Sequence, residues 1–128
     1  MRLLLDTHAF LWFITADSRL GVNAKSAIED PANQRLLSMA SLWEMAIKFS
    51  LGKLKLAKPF DTLMAEQLAA NAIDILSIDV LHVTAVSKMP FHHRDPFDRL
   101  LIAQAIVEKV AIVSTESTFD AYGIDRIW

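Results

Sequence analysis

Leu3-Leu4-Leu5 narrows the fold more than any other stretch. Three consecutive large aliphatic residues leave no polar face, so a strand built from them must be covered on both sides. The run is too short for a helix and ends at Asp6. It therefore predicts a buried strand in a sheet with helices packed on either face.

The rest of the chain supplies both kinds of element. Thr7-His8 leads into a short helix over Ala9 to Ile14. Asp17-Ser18, followed by Leu20, Ala24, Ala27 and Ile28, predicts a second helix, stopped at Asp30-Pro31. Arg35 to Met39 predicts a strand. Ser41-Leu42-Trp43-Glu44 matches a capping box and predicts a helix to about Ser50, with Gly52 in the left-handed position after it. Leu42, Met45, Ala46 and Phe49 form one apolar stripe of that helix, and Trp43 and Ile47 another, so it should be largely buried. Asp61 or Thr62 can cap a helix reaching Ala72. Ile73 to Ile78 predicts a strand, Asp79 to Val86 a helix, Val110 to Val113 a strand, and Ile124 to Ile127 a last strand after a short helix holding Phe119 and Tyr122. Strands alternating with helices imply an α/β fold: a central parallel sheet of about four to five strands inside a three-layer α/β/α domain.

At 128 residues the chain is expected to be one domain, spanning 1–128. No apolar run approaches the ~20 residues of a membrane span, and no signal peptide is evident. There is no cysteine, which excludes a disulfide framework and thiol chemistry. These absences favour the cytoplasm. Net charge is −2, so any contact with phosphates has to be local. The high apolar fraction, 53%, points to some surface being covered by a partner.

Chemistry concentrates in His92-His93-Arg94-Asp95-Pro96-Phe97-Asp98-Arg99. Asp95 reads as a helix N-cap and Pro96 as the first helical residue, which makes Asp98 the third. Asp98, Leu101, Ile102 and Ala105 then share one helix face, so a carboxylate sits on the core-facing stripe and needs a partner. Capping and dipole complementation alone would also explain both acids. In a parallel sheet, ligands bind outside the carboxyl ends of the strands. Asp6 ends the first strand and Glu116 follows the Val110–Val113 strand, while Glu44 and Asp98 stand near helix starts. If the four converge, their mutual repulsion is relieved by raised pKa values or by a metal, and hard oxygen ligands suit Mg²⁺ or Mn²⁺. Such a site hydrolyses phosphodiesters. Arg94 and Arg99, beside the two histidines, are candidate phosphate contacts, as are Lys48 and Lys53 in the densest basic run. His8 and His82 read as packed polar residues.

The residues also carry a family resemblance. Leu-Leu-Leu-Asp6-Thr7-His8, Ser41-x-x-Glu44, Arg94-Asp95-Pro96-Phe97-Asp98-Arg99-Leu-Leu-Ile-Ala-Gln-Ala and Val-Ser-Thr115-Glu116-x-x-Phe119-x-x-Tyr122-Gly123 resemble a PIN domain along essentially the whole chain. More narrowly they resemble VapC-type toxins of bacterial toxin–antitoxin pairs. The resemblance implies a metal-dependent ribonuclease whose acids map onto Asp6, Glu44, Asp98 and Glu116, with Asp95 as an auxiliary acid. Thr7, Ser41 and Thr115 fall where the family places hydroxyls beside the metal. It also implies a homodimer and a small antitoxin whose tail covers the acidic pocket. The last acid is commonly Asp in the family and is Glu116 here, one methylene longer, which bears on a second metal position. A PIN-like module that only docks a protein or RNA is the alternative. A receiver-like phosphoacceptor lacks its Asp and Lys pair here, and a haloacid-dehalogenase-type phosphatase would need Asp where His8 stands.

Overall fold

A computed structural model describes residues 1–128. β1 (Arg2–Leu5) carries the three leucines, all fully buried. Leu3 and Leu5 belong to one core cluster and Leu4 to the other. A strand's period of two sends alternate side chains to opposite faces, and here both faces are covered. α1 (Thr7–Ile14) and α2 (Val22–Glu29) follow, then β2 (Gln34–Ser38), α3 (Met39–Ser50), α4 (Phe60–Ala70) and β3 (Ile73–Leu76). α5 (Val80–Lys88), α6 (Pro96–Glu108), β4 (Ala111–Val113), a 3₁₀ turn (Ser117–Tyr122) and β5 (Arg126–Ile127) complete the chain.

The five strands pair in parallel in the order β3-β2-β1-β4-β5. Ala9, Phe10, Ala24, Ile28, Met45 and Met64 from α1 to α4 pack on Leu3 and Leu5. Leu101, Ile102 and Ala105 of α6, with Phe119, pack on Leu4. The result is the three-layer α/β/α fold that the leucine run predicts. No helix is long and apolar enough to cross a membrane.

The topology locates the site. The chain builds from β1 out to β3, then returns through α5 and α6 to place β4 against the other side of β1. Strand order therefore reverses between β1 and β4, the position where open parallel sheets bind ligands. The first residue beyond β1 is Asp6, and the first beyond β4 is Ser114.

Three expectations are corrected. α3 starts at Met39, because β2 runs into it without a loop and Ser38 Oγ caps it by accepting from the Ala40 N–H at 3.0 Å. Ser41 and Glu44 thus lie inside the helix, and no capping box forms between them. The Trp43 stripe is not core: Trp43 is 61% exposed and stacks edge-on against Phe97 at 5.4 Å. His8 is exposed rather than packed.

Candidate active site

Asp6 joins the two strands that flank the reversal. Its backbone N–H donates to the Val113 carbonyl at 3.0 Å, continuing the β1–β4 pairing past the end of β1. Its Oδ1 accepts from the Ala9 N–H at 2.7 Å and so caps α1. Only 4% of the residue is exposed. Burial pushes the carboxyl's pKa up, and the nearby Asp98 charge adds to the rise, while hydrogen bonds from the Ser114 hydroxyl and the Ala9 amide oppose it.

Glu44 projects from the second turn of α3. The Thr7 hydroxyl donates to its Oε1 at 2.7 Å, and Lys48 Nζ, one turn along, lies 3.2 Å from its Oε2. Thr7 is fixed by the turn that Asp6 caps, so β1 sets the direction of an acid on α3. Ser41, three residues before Glu44, is buried, and its Oγ has no partner in the protein. A buried hydroxyl without a partner is costly.

Asp98 comes from α6, on the other face of the sheet. Asp95 caps that helix by accepting from the Phe97 and Asp98 N–H groups at 2.9 and 3.1 Å, with Pro96 in the first turn, as the sequence predicts. Asp98 Oδ2 lies 2.6 Å from His93 Nε2, and its other oxygen takes no hydrogen bond from the protein. Burial raises its pKa, and the charges of Asp95 and Glu44 push the same way against the His93 hydrogen bond. Asp6 feels Asp98, and Asp98 feels Glu44, so three acids from separate elements act as one electrostatic site. The three carboxylates, with the partnerless Ser41 hydroxyl one helical turn before Glu44, are hard oxygen donors, a chemistry that fits a divalent ion of the Mg²⁺ or Mn²⁺ kind.

Other predicted residues stand elsewhere. Glu116 is half-buried past β4, at the start of the 3₁₀ turn; its backbone N–H donates to Ser114 Oγ at 3.0 Å, and its carboxylate has no ion-pair partner. Thr115 is exposed, and the hydroxyl that helps lower the Asp6 pKa is that of buried Ser114, the residue before it. The signal for Ser114 was its place directly after β4 at the strand reversal. Arg94 is exposed and unpaired. Lys53 is also exposed, while Lys48 is engaged with Glu44.

Arg99 as a phosphate contact is overturned. It is 5% exposed, and its guanidinium donates to the carbonyls of Val86, Met89, Pro90 and His93. The Phe91 ring covers it at 4.1 Å. A buried cation with both terminal nitrogens held by backbone carbonyls is not free to contact a phosphate. Its work is to fold the 89–93 loop, together with Tyr122, whose hydroxyl accepts from the His92 and His93 N–H groups at 3.0 and 2.9 Å and donates to Pro90 O at 2.9 Å. That loop carries the imidazole which meets Asp98. Sequence reasoning gave neither His93 nor Tyr122 this role, because the contacts span up to 32 residues of chain.

Asp6, Glu44 and Asp98 are not the trio of ligand-type side chains whose atoms lie closest together; that trio stands elsewhere. Asp79, His82 and Glu108 offer atoms within 4.8 Å of one another, at the far end of α6 from Asp98. There the Asp79 N–H donates to His82 Nδ1 at 3.1 Å and Asp79 Oδ1 caps α5, completing a capping box. An accepting Nδ1 leaves the ring hydrogen on Nε2, which faces Glu108 Oε2 at 3.1 Å. Both ring nitrogens are thus engaged in tying α5 to α6.

Comparison with known proteins bears on the family and the fold. A family model for the PIN domain matches residues 3–124. No curated protein sequence matches the chain. The fold is similar to that in a crystal structure of VapBC2 from Rickettsia felis bound to a DNA fragment from their promoter, with a TM-score of 0.74, 15% identity and all of both chains covered. It is also similar to a structure of VapBC-1 from nontypeable Haemophilus influenzae, with a TM-score of 0.67, 13% identity, and 98% of this chain and 96% of that chain covered. A structure of FitAB bound to an IR36 DNA fragment gives a TM-score of 0.63 at 15% identity, covering 97% and 92%.

Proposed function

Because the chain belongs to the PIN domain family, we propose that it is a Mg²⁺- or Mn²⁺-dependent endoribonuclease, the toxin of a toxin–antitoxin pair acting in the cytoplasm. One observation carries the reading: Asp6 ends β1 at the strand reversal, the next residue, Thr7, holds Glu44 of α3 at 2.7 Å, and burial together with neighbouring acids, Asp98 for Asp6 and Asp95 and Glu44 for Asp98, pushes the pKa values of Asp6 and Asp98 up. A bound divalent ion would lower the pKa of water and neutralise charge on a phosphoryl group. Asp6, Glu44 and Asp98 would hold it, with the Ser41 and Ser114 hydroxyls beside them and Asp95 as a more distant acid. Thr7 orients Glu44, and His93 fixes one oxygen of Asp98 while leaving the other unengaged. Such supporting hydrogen bonds set ligand geometry as much as the ligands do. Glu116 stands close enough in the chain to add an acid through water, with its extra methylene as reach.

The similar solved structures are of complexes, which supports a partner for this chain. The acidic pocket would be plugged by an Arg or Lys of a small antitoxin, since a charge-assisted pair compensates three clustered carboxylates. The toxin itself would be a homodimer.

Calorimetric titration of Mn²⁺ into wild type and Asp6→Asn, paired with RNA cleavage, tests the reading. Wild type should bind the ion and cut RNA, and Asp6→Asn should do neither. Equal binding by both proteins removes Asp6 from the site, and no cleavage by a metal-binding wild type leaves a docking module. Light scattering showing a monomer at high concentration would defeat the dimer.

A further inference from the structure

The net charge of −2 requires any polyanion contact to be local, and the structure contains one place that meets the requirement. A groove of about 460 Å³ runs between α1 and the 53–56 segment after α3. His8, Arg19, Lys48, Lys53 and Lys55 all line it, against a single acid, Asp17, which Arg19 already pairs at 2.7 Å. Lys53 and Lys55 are exposed and have no ion-pair partner. The larger groove on the other side of α1, about 630 Å³, has no such surplus, since its Lys25 is paired with Glu29 at 3.9 Å.

Two more features give the cationic groove a direction and a chemistry. It opens onto the acids: Thr7 and Lys48 line it, and both contact Glu44. One wall is a ladder of flat groups. His8 stacks on Trp12 at 5.5 Å between centroids, and the Arg19 guanidinium covers Trp12 at 4.9 Å. His8 is the exposed end of that ladder. Cations spaced along a groove with an exposed aromatic face are the features that bind single-stranded nucleic acid without reading its sequence. The volume falls in the ~300–1,000 Å³ range of small-ligand sites, which is room for on the order of one nucleotide.

We propose that this groove holds the single-stranded arm of the RNA adjoining the scissile phosphate, with Lys53 and Lys55 on phosphates and a base stacked on His8. Lys48 sits at the junction, able to pass from Glu44 to the phosphate nearest the acids. The proposal rests on the ribonuclease reading. It also moves the substrate path away from Arg94, on the α6 side, to the α1–α3 side.

Fluorescence anisotropy tests it, using a labelled 12-nucleotide single-stranded RNA and the same sequence as a blunt duplex, both in chelator so that nothing is cut. Lys53→Glu/Lys55→Glu should bind the single strand at least tenfold more weakly than wild type. Its salt slope should be shallower by about 1.4, at ~0.7 per phosphate contact on single strands. Lys25→Glu/Lys58→Glu makes the same change in net charge outside the groove and should have little effect. His8→Ala should weaken single-strand binding about tenfold and duplex binding hardly at all. Equal losses in both charge-reversal variants, or a loss in Arg94→Glu alone, overturns the groove. Displacement of the RNA by poly-L-glutamate at equal charge, with no His8 effect, overturns it in favour of an acidic peptide. If wild type cleaves RNA in Mn²⁺ and the Lys53/Lys55 variant binds normally, the groove fails and the ribonuclease reading stands. If wild type neither binds nor cleaves RNA, both fail together.

Discussion

The two ends of α6 each hold a carboxylate bonded to a histidine, with a second aspartate nearby, yet they differ in what surrounds the pair. At the amino end Asp98 meets His93 at 2.6 Å, and at the carboxyl end Glu108 meets His82 at 3.1 Å. His82 is almost wholly buried, with both nitrogens engaged, and its aspartate neighbour is a helix cap. Around Asp98, charge is instead left in excess: Asp95 and Glu44 both act on it, and it acts on Asp6. Proximity of ligand-type atoms therefore does not identify a functional site. Unresolved repulsion does, because it lowers the stability of the fold and persists only where something else stabilises that arrangement.

The largest expected effect separates the two ends by activity. Asp98→Asn should lower Mn²⁺-dependent RNA cleavage more than ~100-fold, beyond the 10–100-fold typical of groups that only support a ligand. Glu108→Gln should leave cleavage within about twofold, because that acid only bonds a packed histidine. Matching losses in a cleavage assay would erase the distinction.

The histidines should then separate by stability. His82→Ala removes a fully buried ring and leaves the Asp79 N–H without its partner, while the Gln104 amide keeps only the Ser77 carbonyl, which should cost about 2–4 kcal/mol in chemical denaturation and leave the Mn²⁺ midpoint unchanged. His93→Ala should cost less than about 1 kcal/mol but weaken Mn²⁺ about tenfold. If His93→Ala is the more destabilising and leaves Mn²⁺ binding intact, the two pairs are alike.

A smaller effect has a sign fixed by protonation. Asp98 titrates above its ordinary value near 3.8 in the folded protein, so the fold binds this proton more tightly than the unfolded chain. Its ionisation thus costs the fold nothing below pH 3.8, and the whole cost is present above the raised folded value. Asp98→Asn in chelator should melt higher than wild type at pH 7, with the gain shrinking as pH falls toward 3.8. The stabilisation given by saturating Mn²⁺ should shrink in the variant. A charge that only complemented the helix would give the reverse at pH 7, a loss of ~0.3–1 kcal/mol.

The smallest effect concerns Glu116, which lies outside the electrostatic set. Glu116→Ala should lower cleavage by about tenfold or less, and Glu116→Asp should keep or raise it. Unchanged cleavage in the Ala variant reduces Glu116 to a surface acid.

Local rules determined much of this protein. A run of leucines forces a strand with two covered faces, and Asp95-Pro96 ahead of the apolar stripe Leu101, Ile102 and Ala105 marks a helix start. Those constraints act over a few residues, so they are legible in sequence, and with them the α/β class and the positions of Asp6 and Asp98. Tertiary structure decided the rest, since its contacts join residues distant in the chain. Nothing near Arg99 announces that Val86, Met89 and Pro90 will fold over it, nor near Tyr122 that it will hold the backbone of His92 and His93. Whether Ser41 or Ser38 caps α3 depended on where β2 ends, and that is set by pairing with β1 and β3. A charge's role depends on what surrounds it. Strand order brought Glu44 and Asp6 to the end of the sheet where Asp98 stands, and the packing of α5 on α6 placed Glu108 beside His82.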